Sequence, residues 1–157
     1  MKITIKQLPP RHVAYAANLE GYGDEAMDAA WRTIIGWAGT HHMLDQDTMV
    51  IGISFDNPET TPKEKCRYYA CVTVPLGTLT PAGIDVMDLP GGMYAVKHYE
   101  GNQQGIAGAY KELLGQWLPR SGYVRTASPC YEISLSTPDQ LAQGIFVMDI
   151  CLPIVQL

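Results

Sequence analysis

The chain has no run of Lys or Arg, and its 11 basic residues against 16 acidic ones leave a net charge of −5. Phosphate contacts need a clustered basic surface, so direct nucleic-acid binding is not expected. Mild acidity suits a cationic ligand and equally suits plain solubility. No apolar run approaches the ~18 residues of a membrane span, and MKITIKQLPPRH turns polar too soon for a secretory signal. The expectation is a cytoplasmic protein with no membrane partner. Cys66, Cys71, Cys130 and Cys151 show no Cys-x-x-Cys spacing, so they read as reduced thiols in strands or core. His41-His42 has no acidic or Cys partner at helical or hairpin spacing, which makes it a loop pair and not half of a metal site. No phosphate-cradling glycine loop and no serine nucleophile elbow occurs. No metal, no cofactor and no catalytic residue are assigned.

With 46% hydrophobic and 17% charged residues, the 157-residue chain can fill one core and is not disordered. Its main feature is an internal repeat. At a shift of about 80 positions, Leu8-Pro9-Pro10 matches Leu89-Pro90-Gly91, and Leu19-Glu20-Gly21 matches Tyr99-Glu100-Gly101. Ala30 to Gly36 then matches Ala109 to Gly115, Ile51 to Phe55 matches Tyr131 to Leu135, Pro58 matches Pro138 and Cys71 matches Cys151. An ordered series at a nearly constant offset indicates duplication.

Each half reads as β-α-β-β after a short first strand, Ile3 to Leu8 or Ile84 to Leu89. The second strands are Val13 to Leu19 and Tyr94 to Glu100. Apolar residues at helical spacing follow: Met27, Trp31, Ile34, Ile35 and Ala38, then Ile106, Tyr110, Leu113, Leu114 and Trp117. Pro119 and Gly122 are expected to stop the second helix. Strands Met49 to Phe55, Arg67 to Val74, Cys130 to Leu135 and Phe146 to Ile154 complete the units, and the polar loops 56–64 and 136–144 should cross the surface. The expected architecture is α+β: tandem βαββ modules, about 1–80 and 81–157, in one domain spanning 1–157. They form an antiparallel sheet with helices on one side, pseudo-two-fold symmetry and a central ligand cleft.

In Tyr131-Glu132-Ile133-Ser134-Leu135 the side chains alternate, so Glu132 and Ser134 share the face opposite Tyr131, Ile133 and Leu135. If that face is solvated, Glu132 is an ordinary surface acid; if it lines a cleft, Glu132 is a lone buried carboxylate, which is expensive unless it has a purpose. The equivalent position in the first half is Gly52, which supplies room where the second half supplies charge, or marks a close backbone contact. Trp31 and Tyr110 lie on inward helical stripes, whereas Trp37, Tyr69 and Phe146 are less committed to a core. Rings beside one carboxylate would form a cage for a lipophilic cation. The candidate ligand-binding set is Glu132, Phe146, Tyr69, Trp117, Trp37, Tyr15, Tyr110 and Gly52.

The string Gly52-Ile53-Ser54-Phe55-Asp56-Asn57-Pro58, with Arg67-Tyr68-Tyr69-Ala70-Cys71-Val72-Thr73-Val74-Pro75, resembles the GyrI-like family. This family includes the effector-binding domains of AraC-type regulators and of multidrug-sensing regulators similar to BmrR. In the second half, Trp117 to Tyr123, Pro129 to Ile133 and Asp149 to Ile154 agree. The resemblance implies tandem βαββ modules and a buried glutamate for cationic ligands at Glu132, with an aromatic at Phe146. Where the family tends to carry Asp, this chain has Tyr69; the equivalent Asp149 is kept. No helix-turn-helix precedes the first module, so the resemblance implies a detached drug- or effector-sensing module, and the sequence does not indicate whether a partner regulator exists. The alternatives are a hydrolase of reactive electrophiles with Glu132 as general base and a gyrase-inhibitor-like protein. For the last, the sequence offers no exposed apolar helix or charged tail.

Overall fold

A computed structural model describes residues 2–21, 23–56 and 60–157. Asn57, Pro58 and Glu59, part of the first expected surface loop and of the Pro58–Pro138 match, lie outside the described residues. In chain order the elements are β1 (Ile3–Leu8), β2 (Arg11–Asn18), α1 (Asp24–Thr40), β3 (Val50–Ser54), β4 (Tyr68–Thr73), β5 (Asp85–Leu89) and β6 (Gly92–Gly101). Then come α2 (Ile106–Tyr110), β7 (Tyr123–Arg125), β8 (Tyr131–Ser134), α3 (Pro138–Ala142) and β9 (Phe146–Gln156). The fold is α+β, with antiparallel pairing between the strands of each compact unit. No helix among the described residues is long and apolar enough to cross a membrane.

The chain divides into two compact units, one of Pro10–Pro90 and one of Met1–Pro9 with Gly91–Leu157. Their boundaries are not those of the repeats, because the first strand of each repeat is paired outside it. β1 pairs with β6, Ile3 opposite Lys97 and Ile5 opposite Ala95. β5 pairs with β2, Leu89 opposite Arg11 and Asp85 opposite Tyr15.

In the Pro10–Pro90 unit the strand order is β3-β4-β2-β5. Ala14, Ala16 and Ala70 put only methyl groups on one sheet face, so α1 settles close against it. Ala30, Ile34, Trp37 and Ala38 form the inward stripe of that helix. Complete burial of a side chain such as Ile34 is worth about 1.5–3 kcal/mol.

In the other unit the order is β1-β6-β9-β8, with β7 on the far end of β9. α2 continues without a break through a π-helical segment, Lys111–Trp117, and a 3₁₀ turn, Leu118–Arg120. Ala109 and Leu113 bury against Ala95, Met148, Ile150, Leu152 and Ile154. Pro119 lies in the closing 3₁₀ turn, which ends one residue later at Arg120, and the chain turns at Gly122, φ +82°. The second expected surface loop contains α3, held by a capping box: Gln140 N donates to Thr137 Oγ1 at 3.2 Å and Thr137 N to Gln140 Oε1 at 2.8 Å.

Candidate functional site

β8 alternates as its sequence requires: Tyr131 and Ile133 are buried on one face, and Glu132 points to the other. Glu132 is paired with Ile150 of β9, which lies opposite Lys97 of β6. Cross-strand partners share a face, and Ile150 packs against the helix, so Lys97, Ile150 and Glu132 form one row beneath it. From the helix the Tyr110 hydroxyl donates to Glu132 Oε1 at 2.6 Å. Two residues before Glu132 on the same face, the buried Cys130 thiol also hydrogen-bonds Tyr110.

Burial raises the Glu132 pKa above its ordinary 4.5, and the Tyr110 hydrogen bond offsets part of this. The Cys130 thiol is pushed up as well, first by burial and then by the Glu132 charge. Among the described residues no cation pairs with Glu132. Lys97, in the same row, is taken: its Nζ is 2.9 Å from Glu112 Oε2 on the helix. The site is therefore a half-buried carboxyl with one phenol bound to it and no counter-charge.

The other expected ligand residues fall in several places. Trp117 lies two turns beyond Tyr110 and stacks on Tyr123, ring centroids 6.2 Å apart. Phe146 shares the helix-facing side of β9 with Ile150, four residues and so about 13 Å along the strand. In the other unit Tyr15 and Tyr69 stack at 4.2 Å on the sheet face opposite α1, with the edge of Phe55 on Tyr69 at 4.5 Å. The ring at position 69, in place of the family's Asp, thus has an aromatic partner in its own unit. Trp37 is buried in the α1 core beside His41.

The reading of Gly52 as open space needs correction. The Tyr68 phenol fills that space, with its hydroxyl and Cζ where a Cβ at position 52 would stand. Gly52 is a close-contact glycine and not a wall of a pocket.

Sequence reasoning missed Lys97, Glu112 and Cys130. An inward Lys two residues from Ala95 and two from Tyr99 was a usable signal, since a buried ammonium demands a partner. Also missed was His98, whose Nδ1 lies 2.8 Å from Asp149 Oδ1 and whose Nε2 lies 3.3 Å from Glu100 Oε1. It borders an open basin of about 390 Å³ with Lys2, Thr4, Lys6 and Asp149. Among the described residues no group of three or more His, Cys, Asp or Glu is placed to hold a metal.

Residues 1–155 match the family described as GyrI-like small molecule binding domain. Over 98 residues, 61% of this chain, the sequence is 38% identical to the SPbeta prophage-derived protein YosT of Bacillus subtilis (strain 168), whose name describes a transcriptional regulator. Over 100 residues, again 61% of the chain, it is 36% identical to a DNA gyrase inhibitor of Yersinia enterocolitica. The matches span 64% and 62% of those two relatives. In fold, 99% of the chain superposes on 98% of the C-terminal domain of EcmrR, with TM-score 0.77 at 15% identity. The same share superposes on 94% of SAV2435 bound to tetraphenylphosphonium, with TM-score 0.67 at 14% identity. The family match covers all but the last two residues, and the chain belongs to the GyrI-like small molecule binding domain family.

Proposed function

We propose that the Met1–Pro9/Gly91–Leu157 unit binds lipophilic cations, with Glu132 as the counter-charge and the face of Tyr110 against the ligand. The observation that carries this is a half-buried carboxyl with a phenol hydrogen bond and, among the described residues, no cation paired with it. Burial makes the ionised form costly in the free protein, and a bound cation relieves that cost. Ring faces add cation–π attraction, worth about 2 kcal/mol or more where water is excluded. Trp117 and Phe146 are apolar surface farther along the same layer. Tyr15 and Tyr69 are left out of this assignment because they stack on each other. The family membership and the tetraphenylphosphonium complex of SAV2435 support the ligand class.

The same carboxyl, raised in pKa and held by a phenol, has what a general base requires. Product formation from an electrophilic substrate is the measurement for that second reading.

The test of the first is calorimetry with tetraphenylphosphonium on wild type and Glu132→Gln. Truncating one partner of a buried charge pair costs about 2 kcal/mol or more, roughly 30-fold in Kd. Neutral triphenylphosphine oxide should lose little. Equal tetraphenylphosphonium affinity in both proteins would remove Glu132 from the site.

A further inference from the structure

Lys97 lies in the same cross-strand row as Glu132, with Ile150 between them. Two strand spacings of roughly 4.8 Å put the two backbone positions about 10 Å apart, a gap that an extended lysine and an extended glutamate together span. The Lys97 stem is buried, and its ammonium meets a Glu112 carboxylate that is itself 43% exposed. Two carboxylates on this face compete for it: Glu112 from the helix and Glu132 from β8. In the structure Glu112 holds it at 2.9 Å, and Glu132 is bound only by the Tyr110 phenol. Among the other titratable groups near the row, the Cys130 thiol stays neutral through burial, and Cys151 and Arg125 also act on it.

We propose that Glu112 is a specificity residue: by holding the Lys97 ammonium it keeps the chain's own cation off Glu132 and reserves that carboxylate for a ligand. Without Glu112, Lys97 swings over Ile150 and pairs with Glu132, and the protein becomes its own competitor. A ligand then binds only the fraction of molecules in which Lys97 has let go, so apparent affinity falls by that fraction. This inference rests on the binding role proposed above for its affinity arm but not for its spectroscopic arm.

Three proteins decide it: wild type, Glu112→Gln and Glu112→Gln/Lys97→Met. With tetraphenylphosphonium the first variant should bind on the order of tenfold more weakly, corresponding to self-pairing in about nine molecules of ten. The double variant should return to within about threefold of wild type. Independently of any ligand, carboxyl NMR should find Glu132 titrating lower in Glu112→Gln than in wild type, and higher again in the double variant.

Should Glu112→Gln fail to fold, Glu112→Asp withdraws the carboxylate by one methylene and carries the same comparison. A wild type that ignores tetraphenylphosphonium overturns the binding role and leaves the NMR comparison to decide the Lys97 competition. Unchanged affinity and unchanged Glu132 titration in Glu112→Gln would overturn the inference. So would a loss of affinity that Lys97→Met does not restore.

Discussion

Replacing Gly52 with Ala should destabilise the protein although it adds a single methyl group to a strand, where glycine is ordinarily the poorer residue. A Cβ at position 52 would lie on the Tyr68 hydroxyl and 3.1 Å from its Cζ. Tyr68 is 4% exposed and packs edge-on to Trp31 at 6.1 Å within the α1 core, so its ring cannot step aside cheaply. Overfilling a packed core costs about 1–3 kcal/mol, and the lower chain entropy of Ala returns about 0.4–1. Taking the middle of each range, the net is a loss of about 1.3 kcal/mol, or roughly 3–5 °C in Tm for a chain of this size. Urea unfolding followed by near-ultraviolet circular dichroism measures it. A double-mutant cycle with Tyr68→Phe assigns the cause: removing the hydroxyl should make the pair less damaging than the sum by at least about 0.5 kcal/mol. A Gly52→Ala protein as stable as wild type would refute the contact, as would simple additivity with Tyr68→Phe. Eighty positions after Tyr68 stands Met148, a flexible side chain in place of a rigid ring.

The Glu132 site should show a pH signature, since the raised pKa means part of the free protein is protonated above the usual carboxylate range. Tetraphenylphosphonium affinity should rise with pH through that window, with proton release, and level off above it; a flat profile above about pH 5.5 would place Glu132 in ordinary solvation. His98 should titrate above its ordinary 6.5, first because of the Asp149 hydrogen bond and then that of Glu100. The sign follows: its contribution to stability is full below about pH 6.5 and is lost as pH rises through the elevated value, and Asp149→Asn should lower the His98 titration seen by imidazole NMR. Finally, proline in β1, at Thr4 and at Ile5 in turn, removes at one of the two positions an N–H that faces β6. Hydrogen exchange should then quicken in β6; quickening confined to β2 would contradict the strand exchange.

The α+β class and the repeated βαββ order were legible because alternation and helical spacing are local properties of the chain. Ile3–Leu8 is a strand as read, and the inward stripe from Met27 to Ala38 lies on one long helix. The partners of the first strands were not legible. Ile3–Leu8 and Asp85–Leu89 are both short alternating strands ending at Pro-containing turns, and nothing in either says which neighbour it will join. That choice depends on how the whole sheet packs. β7 and α3 escaped notice for a related reason: each is too short for a periodicity, and the Thr137–Gln140 capping box with Pro138 and Asp139 in the first turn were the local signs of the helix.

Within the candidate site the legible part was the alternation that turns Glu132 away from Tyr131. The choice between a solvated face and a covered one was not legible, because it depends on whether the helix brings a partner down onto that face. The helix does so twice, with Tyr110 onto Glu132 and Glu112 onto Lys97. Both acids are therefore explained by what stands opposite them in space. A carboxylate opposite a lysine is a satisfied pair, and a carboxylate opposite a phenol is half satisfied. That difference between Glu112, on the helix, and Glu132, on the strand beneath it, is why the proposed cation site is placed at Glu132.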